Sequence, residues 1–107
     1  MQLRSNRVVG QVIVDRIDRF MGWNDIDHIK YILRTCGNNY LELPTQFDMT
    51  LLCLAVTSCQ IDIIETLLQH GANIHALTMN GETPLMIAKR YREPEMIDLL
   101  ISYGAKF

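Results

Sequence analysis

The sequence predicts an all-α protein, a short solenoid of about three helix-turn-helix units with the first one degenerate. Two observations predict it. The segment from Thr50, TLLCLAVTSCQIDIIETLLQHGAN, lies over TPLMIAKRYREPEMIDLLISYGAK from Thr83 with no gap, at an offset of 33. Thr50 falls on Thr83, Leu52 on Leu85, Ala55 on Ala88, Leu67-Leu68 on Leu100-Ile101 and Gly71-Ala72 on Gly104-Ala105. Within each copy the apolar residues recur in steps of three and four, the spacing that places a stripe on one helical face. A chain of 107 residues fits one domain, with units expected over residues 8–44, 45–77 and 78–107.

Taken in order, the first unit is the least regular. Val9, Val12, Ile13, Ile17, Phe20 and Met21 form a broad apolar face, so a helix is expected over roughly 8–21. A second is expected over roughly 25–35, because Ile26, Ile29, Ile32 and Leu33 align with Ile61, Ile64, Leu67 and Leu68 at an offset of 35. That alignment puts Cys36 on Gly71 and makes the following connection about two residues longer. In the second and third units, Thr50 and Thr83 suit helix starts, since a hydroxyl can accept from the free N–H groups of the first turn. Pro84 and Pro94 suit the first helical turn, where a missing N–H costs nothing. Gly71 and Gly104 suit helix ends that need a left-handed residue. Between the units, ANIHALTMNGE should run extended and then turn at Asn80-Gly81. At least about three stacked units are needed to bury such faces, and the Val/Ile/Phe-rich first helix suits the otherwise open Leu52/Ile64/Leu67 side.

The period, NGETPLMIA and LLQHGANIHA together resemble the ankyrin repeat, whose pattern joins Thr-Pro-Leu-His-x-Ala to Leu-Leu-x-x-Gly-Ala-x-x-x-Ala. Residues 78–107 match it specifically and residues 45–77 well. There are departures. Met86 and Cys53 stand at the family's His, Leu51 at its Pro, and Arg92 and Cys59 at the usual Gly between the two helices. Lys89 replaces a small Ala. The resemblance implies a non-catalytic module or adaptor that binds a protein partner through turn tips and the concave face of the first helices. Carried over by position, the partner-binding residues are Gln46, Phe47, Met49, Thr57 and Ser58 in the second unit, and Met79, Asn80, Glu82, Arg90 and Tyr91 in the third. The resemblance also admits a small inhibitor or regulator that docks on an enzyme such as a kinase.

The residue types agree. Phe47, Met49, Met79 and Tyr91 are apolar or aromatic where the packing stripe does not require them, and such residues are enriched in interface cores. Tyr40, Leu41 and Leu43 in the longer connection could add to that surface or fold down on the helices beneath. Met96, Leu99 and Tyr103 leave the outer face of the last unit rather apolar, where a terminal unit normally carries polar residues. Further repeats, a partner or self-association could cover that end.

Composition excludes several function classes. Hydrophobic residues make up 49% and charged residues 21%, a globular balance. A net charge of -2 offers no basic stripe for nucleic acid, and the cluster Lys89, Arg90, Arg92 is offset by Glu93 and Glu95. No apolar run approaches the roughly 18 to 20 residues that span a bilayer, so no membrane contact is expected. The N-terminal stretch is broken by Gly10, Gln11 and Asp15 and lacks a cleavage site, which argues against a secretory signal. Three cysteines with no framework spacing fit a reducing intracellular compartment, most simply the cytoplasm with the nucleus as the alternative, and Cys as a small buried residue. No metal or other cofactor is expected: Cys53 and Cys59 are six apart, and His28, His70 and His75 show no ligand spacing. Ser58-Cys59 has no glycine-flanked elbow, and Asp15, Asp18, Asp25 and Asp27 read as solvated positions and helix starts rather than a catalytic pair.

Overall fold

Capping side chains fix where the helices begin. Thr50 accepts from the backbone N–H of Cys53, Thr83 from that of Met86, and Asp25 from that of His28. In a computed structural model, which describes residues 2–37 and 39–106 and side chains from residue 9 onward, six helices follow: α1 (Gln2–Gly22), α2 (Ile26–Cys36), α3 (Leu51–Thr57), α4 (Ile61–Gln69), α5 (Pro84–Tyr91) and α6 (Pro94–Ser102). No strand occurs among the described residues. The first helix begins earlier than its apolar pattern indicated, at Gln2 rather than near Val8.

Each unit is a helical hairpin closed by one residue in the left-handed region. Asn24, Cys59 and Arg92 occupy corresponding places with φ of 56°, 57° and 55°. This is where the family pattern has glycine, and here the side chain is retained at some strain. The second helices of the later units end alike. Gly71 (φ 91°) donates to Leu68 and Ala72 to Leu67, while Gly104 (φ 98°) donates to Ile101 and Ala105 to Leu100. This paired bonding satisfies the last carbonyls and explains Gly-Ala as one signal. In the first unit the positive φ falls on Gly37 (78°), one residue past Cys36, so the gapless alignment is off by one there.

The hairpins α1–α2, α3–α4 and α5–α6 stack side by side, with α1, α3 and α5 in one layer and α2, α4 and α6 in the other. Val14, Ile17 and Met21 of α1 and Ile29 and Leu33 of α2 join Leu52, Ile64 and Leu67 in one continuous core. The first unit thus covers the side the other two would leave open. Tyr40 and Leu41 fold down into this core and Leu43 packs partly against it. Gly10 lets them in: a Cβ there would lie 2.9 Å from Leu43 Cδ1 and 3.3 Å from Tyr40 Cβ.

Four expectations need correction. Met96 is buried rather than on the outer face, because it points back at the rest of the stack, and Leu99 is half-buried. Asp18 is buried, since Gln46 of the connection after α2 lies against it. Of the three free cysteines only Cys53 is buried; Cys59 sits at an exposed helix turn and Cys36 at an exposed helix end. Met49 and Tyr91 lean partly onto the core instead of standing clear of it. Among the described residues, no helix is long and apolar enough to cross a membrane.

Candidate protein-binding face

Two projecting turns carry six of the ten expected binding residues, and they are built alike. Thr45 N–H donates to Met49 O (2.9 Å) and Asp48 N–H to Thr45 O (3.0 Å). Thr78 N–H donates to Glu82 O and Gly81 N–H to Thr78 O, both at 2.9 Å. Asp48 (φ 58°) and Gly81 (φ 76°) take the left-handed position. The threonine hydroxyls brace both turns. That of Thr45 donates to Met49 O and accepts from Phe47 N–H, and that of Thr78 accepts from Asn80 and Glu82 N–H. Each turn therefore lifts its tip into solvent, with Phe47 58% and Met79 81% exposed. Asn80-Gly81 announced only one of the two turns. The other was legible in Thr45 and Asp48, which stand one repeat before Thr78 and Gly81.

Behind the tips, the inner helices supply a second row. Glu82 and Arg90 form a two-pronged ion pair, Nη2 to Oε1 at 3.0 Å and Nε to Oε2 at 3.1 Å. The guanidinium carbon of Arg90 also lies 5.2 Å from the centre of the Tyr91 ring. In the second unit the equivalent positions hold Met49 and Thr57. There Thr57 donates to Cys53 O at 2.9 Å, with its hydroxyl 3.9 Å from Met49 Sδ. An apolar-hydroxyl pair in one unit thus stands beside an ion pair in the next. Met86, 52% exposed on α5, adds an apolar side chain that the sequence reading left out. Its signal was its place at the family's His.

Two expected residues sit apart from these rows. Ser58 caps the far end of α3, in a cleft with Asn24, Gln60 and Asp62 at the inter-helix turns. Gln46 turns toward α1, where its side chain and backbone favour the charged form of Asp18. Burial nonetheless pushes the Asp18 carboxyl above its ordinary value, and the nearby Asp15 adds to the rise. Burial likewise raises the Cys53 thiol, which keeps it protonated and unreactive. Among the described residues there is no grouping of three or more His, Cys, Asp or Glu that could hold a metal.

The family model described as ankyrin repeats (3 copies) matches residues 21–107, so most of α1 precedes the match. Two curated proteins are similar over shorter stretches. One is ADP-ribosylation factor GTPase-activating protein AGD1 of Arabidopsis thaliana, 41% identical over 58 residues, which are 51% of this chain and 7% of that protein. The other is Ankyrin repeat and LEM domain-containing protein 1 homolog of Caenorhabditis elegans, 32% identical over 62 residues, or 58% of this chain and 9% of that one. The chain thus spans less than a tenth of the length of either relative. No solved structure gives a significant match. With the repeat period, the stacked hairpins, the paired turns and a match over most of its length, the chain belongs to the ankyrin-repeat family.

Proposed function

We propose that the chain is a non-catalytic adaptor that holds a protein partner against its turn tips and concave face. The observation that carries this is the row of exposed Phe47 and Met79, lifted on braced turns beside Met86 and the Glu82–Arg90–Tyr91 group. Solvent-exposed aromatic and methionine side chains cost free energy unless something covers them, and these residue types with arginine dominate interface energetics. The turns hold them with little freedom left to lose, which favours binding. Ankyrin repeats are protein-interaction modules, and that supports a protein as the ligand class. The absence of disulfides among the three cysteines supports action in a reducing compartment such as the cytoplasm.

The test is affinity capture with mass spectrometry, comparing the unaltered chain with a Phe47→Ala/Met79→Ala/Tyr91→Ala variant. Titration calorimetry on the captured protein should then show affinity at least tenfold weaker for the variant, with only the modest fall in melting temperature that the core-facing part of Tyr91 accounts for. Equal capture by both, or a collapse in melting temperature with unchanged affinity per folded molecule, would count against this face. If a captured enzyme loses activity on binding, the adaptor is an inhibitor.

A further inference from the structure

The tip of the third unit holds a reactive pair of residues. Asn80 is followed by Gly81, and both stand exposed on the projecting turn. A following unit would not cover them, because Phe47 and Asp48 hold the same places one repeat earlier and stay exposed with a unit after them. The backbone N–H of Asn80 donates to the Thr78 hydroxyl at 3.2 Å, but its side-chain amide has no hydrogen-bond partner among the described residues. Gly81 puts no side chain in the way of that amide, and a Cβ there would meet nothing within 4 Å. The other asparagines whose side chains are described differ. Asn73 has its side-chain oxygen bound to the His75 N–H at 3.0 Å and is followed by β-branched Ile74. Asn39 precedes buried Tyr40, and Asn24 precedes Asp25, whose side chain caps α2.

We infer that Asn80 is a site of spontaneous deamidation, which puts a carboxylate, and in part a lengthened backbone, on this tip. The Gly81 nitrogen gives up its proton to solvent base and attacks the side-chain carbonyl carbon of Asn80. A C–N bond forms, the bond to the amide nitrogen breaks, and ammonia leaves. Water then opens the five-membered imide. Opening at the side-chain carbonyl gives aspartate; opening at the main-chain carbonyl gives isoaspartate, with the chain running through the β-carbon. In sum, one water enters and one ammonia leaves, with no oxidation or reduction. The Gly81 N–H donates to Thr78 O at 2.9 Å, so this bond must open before the attack. Among the described residues, Asn80 and Gly81 are held by backbone bonds to Thr78 alone, and loop tips open most readily. The aspartate form sets a negative charge two residues from Glu82 and takes the net charge of -2 one unit lower. The isoaspartate form lengthens the chain between Thr78 and Gly81, which undoes the turn and displaces Met79. The effect on a partner rests on the adaptor reading; the conversion itself does not.

Ageing the purified chain at neutral to mildly alkaline pH, followed by ion-exchange chromatography and peptide mass mapping, tests this. An acidic form should build up with Asn80 converted while Asn24, Asn39 and Asn73 remain amides. It should form faster at higher pH, because the Gly81 nitrogen must lose its proton. Asn80→Gln should abolish it, since the longer side chain would have to close a larger ring, and Thr78→Val should speed it by freeing the turn. Three results would overturn the proposal: an Asn80 that stays an amide in the folded chain while it converts in the chain unfolded in urea, another of these asparagines converting first, or a Thr78→Val chain that converts no faster. Against the captured partner, the isolated isoaspartate form should bind about tenfold more weakly than the fresh chain, and Asn80→Gln should bind alike fresh and aged. Undiminished binding by the isoaspartate form would overturn the effect on the face. Mass and charge are read without any partner, so a failure to capture one counts against the adaptor reading alone.

Discussion

At Asn24, Cys59 and Arg92 the chain holds a left-handed turn three times with three different side chains. Asparagine tolerates that conformation best, while cysteine and arginine there cost about 1 kcal/mol relative to glycine, part of which glycine returns through its freer unfolded state. Cys59→Gly should therefore raise stability by about 0.5 to 1 kcal/mol, whereas Cys59→Val should lower it, β-branching being least compatible with positive φ. Urea unfolding of the two variants checks this, and a destabilised glycine variant would refute it. Asp18 gives a second residue-scale prediction. Its pKa is raised in the fold, so the stability it contributes is fully present below its ordinary 3.8 and is lost as pH rises through the raised value. Asp18→Asn should thus melt at a higher temperature than the unaltered chain at neutral pH, with the difference fading as the solution is taken below pH 3.8. The burial of Asp18 was not legible in sequence. Its helical pattern alone placed it beside exposed Asp15, and only the connection lying over α1, whose Gln46 hydrogen-bonds the Asp18 carboxyl, encloses it.

At the scale of the element, short helices such as α3, with seven residues, are too short to persist alone, and their stability comes from the apolar faces they bury. Leu67, wholly buried on α4, should cost about 2 to 5 kcal/mol when replaced by alanine, the cavity term included. Thermal unfolding would register this directly, and a loss under about 1 kcal/mol would mean the site collapses around the smaller side chain. The elements themselves were legible. Thr50 and Thr83 are the caps, Pro84 and Pro94 open their helices, and Gly71 and Gly104 close theirs, because each of these effects is local. The first unit was less legible at its edges. Cys36 in the aligned column concealed that the positive φ belongs to Gly37, and α1 runs back to Gln2 without any cap or apolar period to announce it.

Across the whole molecule, the stack sorts similar apolar residues into three roles. Met96 and Leu100 close the core, while Ile97 and Ile101, one position further on, are half-buried and exposed. Phe47 and Met79 stand on the tips. Tyr40 and Leu41 show how the stack decides. As sequence they suited either a binding patch or a covering loop; both are buried in the core, and the absence of a side chain at Gly10 on α1 leaves room for Tyr40.

By itself, the sequence determined the period, the helix pairs and their caps, and the two-layer stack those pairs must form. These follow from hydrogen bonding and apolar spacing between residues close together along the chain. Only the tertiary structure decided which side of each stripe is shared with a neighbour. It was also needed to enclose Asp18 and to set Glu82 against Arg90 behind a raised tip. Burial and pairing depend on residues that stacking brings together from far along the chain, and a repeat pattern fixes that the units stack without fixing which side chains the stacking encloses.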